Sequence, residues 1–445
     1  MKYKKSMFNN IIDNGTELRL YNSLNGANSL ILVENSKYND VKNIFNDHSK
    51  YLDSELFSLL LEHGYFVPDH IDEEVLRERN LSHVVNQTKL HLVIMPTEEC
   101  NFRCSYCYET HEKGKMTREV QDSIIKFVRK NIKDYTGLNV GWFGGEPLEA
   151  IDVIRYLSKE FIKICDTARK PFRAGMTTNA YALNADLYRE LYKLHVYEYQ
   201  ISIDGLKEEH DKLRKMKDGS GTFDRIIKNI REIKAIDDIK ASEIIIRTNF
   251  TKSIAKKLPE YVEFYNDLLS NDSRFKIQIN MASDWGGDDV KNISDDLFDL
   301  KEYVNVFEKI MDIDNNIDFS YHLDELTPGA FRCYAGKRNT YCIGSDAKIY
   351  KCTESFDMPE NNIGVLLPNG VLDINEYYLS LWENTARISN IEKCRNCSFS
   401  GCCLYSPCPR NTISSKDRTP KCSRVKSNLK NVINILNNKY FIKVK

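Results

Sequence analysis

Three cysteines, Cys100, Cys104 and Cys107, stand within eight positions in PTEECNFRCSYCYET, residues 96–110. Thiolates are the usual ligands of iron–sulfur clusters, and a four-iron cubane takes four. Three in one short loop can hold three irons and leave the fourth open to a small molecule. Structural zinc prefers a closed set of four ligands, so this trio suits it poorly. Three unrelated buried thiols are the bland alternative, because cysteine spacing informs only in context. Nine more cysteines fall between 333 and 422, and Cys165 stands alone.

Other chemistry-bearing residues close strand-like runs. GWFGGEP, residues 141–147, brings Gly144 and Gly145, which let a backbone approach closely, and Glu146, whose carboxylate suits an ammonium group. An ordinary strand-end turn would explain the glycines but not the whole string. TTN at 177–179 ends in Asn179, and SIDG at 202–205 begins with Ser202.

The elements that must position these residues follow from length and pattern. A chain of 445 residues allows two or three domains at about 150 residues each. With a net charge of -1, it lacks the basic surface that phosphates demand, which argues against nucleic acid. No run reaches the roughly 20 apolar residues of a membrane helix, and no apolar stretch follows MKYKKSMFNN as in a secretory signal. A cytoplasmic chain with reduced thiols is expected, its thirteen cysteines serving as metal ligands or spare thiols.

In residues 1–88, TELRLYNSLNGANSLILVEN reads as two strands joined near Asn25-Gly26. SKYNDVKNIFND and LDSELFSLLLEHG read as helices, YFVP as a short strand and 70–88 as a linking helix. Together they suggest a small winged-helix-like unit. In residues 89–282, six strand candidates (KLHLVIM, LNVGWFG, FRAGMTTN, YEYQISID, SEIIIRTNF, FKIQINM) alternate with amphipathic helices. Repeated strand–helix units imply a parallel sheet with its chemistry at the strands' C-terminal ends, and six units suggest a partial barrel. Residues 283–329 read as a bridge with a helix at SDDLFDLKEYVNVFEKIMDI. Residues 330–445 hold the cysteine-rich region and a final helix, SNLKNVINILNNKYF.

Cys100-x3-Cys104-x2-Cys107, with the aromatic Tyr106 before the third cysteine, resembles the signature of the radical SAM superfamily. The resemblance implies a 4Fe-4S cluster on the three cysteines, its open iron chelated by the amino and carboxylate groups of S-adenosylmethionine. An electron then splits that cosubstrate into methionine and a 5′-deoxyadenosyl radical, which removes a hydrogen atom from the substrate. The resemblance also implies that Gly144, Gly145 and Glu146 bind the methionyl amino group. Asn179, Ser202 and Arg214 would line the same pocket, and Tyr106 would lie against adenine, mostly through backbone contacts. The implied fold is α/β, a partial (β/α)6 radical SAM barrel. A reducing electron donor such as flavodoxin or ferredoxin is implied as a partner.

CYAGKRNTYCIGSDAKIYKC (333–352), KCRNCSFSGCCLYSPCP (393–409) and KC (421–422) resemble the SPASM domain, with Ala347 where that pattern expects glycine and Cys408 one residue late. The resemblance implies two auxiliary 4Fe-4S clusters. One would use Cys333, Cys342, Cys352 and Cys408, the other Cys394, Cys397, Cys403 and Cys422. Two alternatives stay open: Cys402 in place of Cys403, and a first cluster without Cys342, whose open iron could take a substrate thiolate. Zinc at the two CxxC-like sites is the other reading.

SPASM enzymes include maturases of ribosomally made peptides and anaerobic sulfatase-maturating enzymes. Residues 1–88 resemble the domain that captures a leader peptide as an added strand, a packing cap being the alternative. Thr353 stands where sulfatase maturases carry an aspartate after the cysteine, and Glu354 is the candidate proton acceptor. The expectation is a maturase of a leader-bearing precursor peptide, installing a cysteine thioether of the sactipeptide or ranthipeptide type. The alternatives are carbon–carbon or carbon–oxygen crosslinking, sulfatase maturation, and a non-enzymatic metal-cluster scaffold that binds peptides.

Overall fold

The computed structural model describes residues 1–282, 289–298, 333–384, 391–403, 408–416, 422–436 and 438–445, with isolated positions between 302 and 329. Of the bridge read over 283–329, Asp289–Asp296 forms a 3-10 helix, and nine of the twenty residues of the helix read at 294–313 lie outside the described residues. The chain divides into two compact units. The larger comprises 88–314 and 339–380; the smaller comprises 1–87, 315–338 and 381–445.

In the larger unit six strands run parallel in chain order: β1 Leu90–Ile94, β2 Leu138–Trp142, β3 Phe172–Thr178, β4 Val196–Ser202, β5 Glu243–Phe250 and β6 Phe275–Met281. Helices follow from local signals. Thr117 caps Arg118–Asn131 by accepting the Val120 amide, and that helix buries Ile124, Ile125, Phe127 and Val128. Ile151–Ala168 stops where Arg169 turns left-handed at φ 54°. Strand β5 alternates strictly. Ile244, Ile246, Thr248 and Phe250 are buried, while Arg247 and Asn249 line the cavity described below.

The sequence predicts six parallel strands, and the sheet adds a seventh. Thr340–Ile343 pairs parallel with the far side of β1, and Lys348–Tyr350, Asn362–Leu366 and Leu372–Ile374 continue antiparallel into a mixed ten-stranded sheet. The first part of the cysteine-rich region thus covers an edge of the parallel sheet that would otherwise present unpaired backbone groups. The turn after Thr340–Ile343 places Ala347 at φ 68°. This left-handed conformation explains why glycine would sit there more cheaply.

In the smaller unit Asn9–Asp13, Leu18–Asn22 and Ile31–Val33 form an antiparallel sheet. The link between the last two passes through Gly26 at φ 69°. All of Leu18–Asn22 is buried because both faces are covered. Leu18, Leu20, Ile31 and Val33 pack with Val41, Ile44, Phe57 and Leu60 of the helices Tyr38–Asn46 and Glu55–Glu62. Tyr21 and Leu32 pack with Phe399, Ile433, Leu436 and Phe441. The final helix is shorter than its sequence pattern suggests. It spans Leu429–Ile435, and Ile442–Val444 is a strand parallel to Ile31–Val33. The Arg19 guanidinium explains the early stop, donating to the carbonyls of Ile433, Asn434 and Leu436 at 3.2–3.3 Å.

Candidate active site

The cysteine loop leaves the C-terminal end of β1 and is zipped in place. Phe102–Cys104 pairs antiparallel with Arg214–Met216, the Ser105 amide donates to the Leu213 carbonyl at 2.9 Å, and the Lys217 amide to Asn101 at 3.0 Å. Asn179, at the end of β3, donates to the Asn101 side chain at 2.8 Å. The Cys100 sulfur accepts the Phe102 amide at 3.3 Å. Burial, with Glu146 beside Cys100 and the neighbouring cysteines beside both, pushes the Cys100 and Cys107 thiols up to about 12. Cys100 is buried and Cys104 and Cys107 are half-buried, and such neighbouring sulfurs become thiolates only beside a cation that stabilises the negative charge, so this donor set fits an iron–sulfur cluster.

Gly144 and Gly145 are required by the protein's own backbone. A Cβ at Gly144 would lie 2.2 Å from the Thr97 carbonyl oxygen, and one at Gly145 would lie 2.2 Å from that of Glu99. The glycines let residues 144–146 lie against the approach to the cysteine loop, where the Glu146 amide donates to the Glu99 carbonyl at 2.9 Å. Glu146 is 1% exposed. Its carboxyl accepts the Asn179 amide and the Thr178 hydroxyl at 2.7 Å each, and the Leu148 amide at 3.0 Å. Burial raises it to about 7 against the pull of those donors. Three acceptor positions are used, so a bound ammonium group would meet the remaining one on Oε2.

The sequence-read residues Cys100, Cys104, Tyr106, Cys107, Gly144, Gly145, Glu146, Asn179, Ser202, Arg214 and Glu354 all line one cavity. Tyr106 is anchored by its hydroxyl, which donates to the Asp204 carboxylate and accepts from Arg214 Nη1 at 2.6 Å and Asn249 Nδ2 at 3.2 Å. With the side chain tethered, its backbone is the part held in register beside Cys107.

Sequence reasoning passed over Asp204, Asn249, Arg247 and Glu109. Asp204 stands within the quoted SIDG string, and Arg247 and Asn249 lie on one face of the alternating strand SEIIIRTNF, so periodicity could have found them. Glu109 Oε1 is buried without a hydrogen-bond partner among the described residues, and burial with Glu98 nearby raises its carboxyl to about 8. No periodicity marks it.

In the smaller unit Cys394 lies on the short helix Glu392–Arg395, Cys397 follows it, and Cys403 ends the helix Ser400–Cys403. Burial and the neighbouring Cys402, Cys394, Cys397 and Cys422 hold the Cys403 thiol well above its usual range. Cys402 is fully buried beside Tyr21 and Phe399, and its sulfur is 3.4 Å from the Glu325 carbonyl and 3.5 Å from that of Thr327. Among the doublet, Cys403 is therefore the one grouped with the other cysteines. Cys333 and Cys408 belong to the smaller unit, and Cys342 and Cys352 to the larger. Cys342 is fully buried on Thr340–Ile343, its sulfur 3.6 Å from the Lys351 carbonyl. The Cys352 sulfur accepts the Glu354 amide at 3.3 Å and the Ser355 hydroxyl at 3.6 Å. Cys165 is a buried core residue of Ile151–Ala168.

Residues 94–251 match the model of the Radical SAM superfamily. A cysteine-type anaerobic sulfatase-maturating enzyme of Clostridium novyi is 24% identical over 345 residues, covering 72% of this chain and 88% of that one. The solved structure of native anSMEcpe with bound AdoMet and Cp18Cys peptide is similar with a TM-score of 0.60 and 19% identity, covering 78% of this chain and 96% of that one. Streptococcus suis SuiB bound to S-adenosylmethionine has a TM-score of 0.50 and 16% identity, covering 95% and 99%. Similarities at these identities establish a shared fold. Among the described residues no helix is long and apolar enough to cross a membrane.

Proposed function

We propose that this chain, whose residues 94–251 form a radical SAM domain, is a maturase of a ribosomally made peptide. The observation that carries the reading is the convergence of Cys100, Cys104 and Cys107 with Glu146, Asn179, Ser202 and Arg214 on one cavity at the C-terminal ends of β1–β4. The radical SAM cluster and S-adenosylmethionine, when bound, supply a 5′-deoxyadenosyl radical that removes a hydrogen atom from the substrate. In this reading the three cysteines hold the cluster, and Glu146 receives the ammonium group at its free acceptor position. Arg214 and Tyr106 fix the wall behind it, and Glu354 takes a proton from the substrate. Cys394, Cys397, Cys403 and Cys422 hold an auxiliary cluster.

The smaller unit is assigned to capture of a leader peptide. Strand addition needs an open edge. Ile442–Val444 fills the outer side of Ile31–Val33, so the edge offered is Asn9–Asp13, where Ile11 is exposed. The product we expect is a cysteine thioether. Similarity to the sulfatase-maturating relative, which spans 88% of that protein, supports a second reading in which a cysteine-containing sulfatase peptide is the substrate.

The test is anaerobic reconstitution with dithionite, S-adenosylmethionine and any short cysteine-containing peptide found encoded in the neighbouring reading frames. The expected product is lighter by two hydrogens per link, with 5′-deoxyadenosine formed. Conversion of a sulfatase peptide instead, with the neighbouring peptide untouched, would favour the second reading. Equal turnover of a leaderless peptide would remove the role given to residues 1–88.

A further inference from the structure

His210 is fully buried in the larger unit, and the roles assigned above leave it unused. It packs edge-on against Phe223, ring centroids 5.6 Å apart. Both ring nitrogens are engaged. Nδ1 accepts the Asp204 amide at 3.2 Å, and Nε2 lies 3.0 Å from the Thr222 hydroxyl oxygen. That hydroxyl donates its own proton to the Arg214 carbonyl at 2.6 Å. Counting protons fixes the tautomer: Nδ1 is bare, Thr222 has no further hydrogen to give, and so Nε2–H donates. Burial holds the imidazole down to about 3, which keeps it neutral across the physiological range.

Followed onward, these bonds close on themselves. The Asp204 carboxylate receives the Tyr106 hydroxyl, and the Tyr106 oxygen receives Arg214 Nη1 at 2.6 Å. The Arg214 carbonyl receives Thr222, Thr222 receives His210, and His210 receives the Asp204 amide. Two members of this circuit belong to the cysteine loop's own framework. Tyr106 immediately precedes Cys107, and the Arg214 backbone pairs with Cys104. Asp204 is fixed from a third side by the Asn249 amide at 2.8 Å.

We infer that His210 is a positioning residue whose neutral Nε2–H imidazole closes a buried hydrogen-bond circuit, and that this circuit holds Tyr106 and Arg214, and through them Cys104 and Cys107, against the cavity. A residue that only filled space here would be served better by an apolar ring, since a buried imidazole must satisfy two polar atoms. Replacing it leaves the Asp204 amide and the Thr222 hydroxyl each short of a partner in a dry setting, and the strain falls on the cysteine loop.

The inference rests on reading this cavity as the site of the cluster and S-adenosylmethionine. The test uses reconstituted full-length protein and two readouts besides turnover. One is the dissociation constant for S-adenosylmethionine; the other is the electron paramagnetic resonance signal of the dithionite-reduced protein with and without it. His210→Phe is expected to weaken binding about tenfold or more and to alter the cosubstrate-induced change in the signal. Thr222→Val keeps the bond to Asp204 but cuts the link to Arg214, and should weaken binding by roughly threefold to tenfold. His210→Asn can still accept the Asp204 amide and should recover part of the loss. Wild-type affinity and spectra in both His210→Phe and Thr222→Val would overturn the inference. If His210→Phe does not fold, Thr222→Val and His210→Asn decide it on the same readouts. A wild-type protein whose signal ignores S-adenosylmethionine would overturn the underlying reading as well.

Discussion

Cys100, Cys104 and Cys107 ride on a loop held by β1, by the Arg214–Met216 strand and by Asn179, with burial that raises two of the thiols to about 12. Cys394, Cys397, Cys403 and Cys422 ride on and between helices of four residues, Glu392–Arg395, Ser400–Cys403 and Arg424–Ser427, and Cys422 is exposed. A four-residue helix has no stability of its own, because nucleation costs more than one turn returns. The difference teaches that the first group is arranged by the sheet before any metal arrives, whereas the second, on the proposed reading, would draw its order from a cluster held by its thiols. On that reading the first group would keep its fold on losing a cysteine, and the second would lose local structure with one.

The largest effect tests the first half of that contrast. Cys104→Ala should abolish formation of 5′-deoxyadenosine, a fall of about a thousandfold or more, while the thermal midpoint of the metal-free protein moves by only a few degrees. Collapse of the larger unit in circular dichroism would break the contrast. Next, Cys403→Ala should lower iron per chain and raise amide exchange across 391–403 and 422–427, whereas Cys402→Ala should keep its iron and lose about 1–2 kcal/mol to the void left in the core. Loss of iron from Cys402→Ala alone would reverse the assignment of the doublet. Glu146→Gln should retain the cluster and weaken S-adenosylmethionine binding about tenfold, because its NH2 must face either the Thr178 hydroxyl and Leu148 amide or the Asn179 amide and the ammonium group.

A pH measurement sharpens the same site. Burial raises the Glu146 carboxyl from 4.5 to about 7, so between those values the folded protein holds a proton that the unfolded chain has released. Its contribution to stability is complete below about 4.5 and is lost as pH rises through about 7. Metal-free Glu146→Gln should therefore lose less stability than the parent chain between pH 5 and pH 8. Parallel pH profiles would refute this. The smallest effect concerns the turn that closes the edge of the parallel sheet. Ala347→Gly should add about 1 kcal/mol by relieving the left-handed backbone, with iron content unchanged.

Much of the larger unit was legible because its signals are local. Strands declare themselves by alternation and helices by caps and apolar spacing, and the strand-end strings GGEP, TTN and SIDG meet because parallel strands bring their C-terminal ends to one rim. Thr340–Ile343 was not legible as a strand of the parallel sheet, since its partner β1 lies about 250 residues away and nothing in either segment names the other. Ile442–Val444 escaped for the same reason, and the helix before it was read too long because the carbonyl cap comes from Arg19.

The sequence by itself determined the chemistry on offer: three thiols spaced to hold a cluster with one position open, a carboxylate and glycines at a neighbouring strand end, and a separate cysteine-rich segment. These depend on residue type and short spacing, which a chain carries whether or not it is folded. The tertiary structure alone placed Cys402 in the core with Tyr21 and Phe399 and Cys403 beside Cys394, Cys397 and Cys422, and showed that the glycines at 144 and 145 serve the protein's own backbone. It also decided that Asp204, His210, Thr222, Arg214 and Tyr106 close into one circuit behind the cysteine loop. Each of those outcomes turns on burial and on partners distant in sequence. A buried polar atom must find a specific partner in three dimensions, and no pattern along the chain records which one it finds.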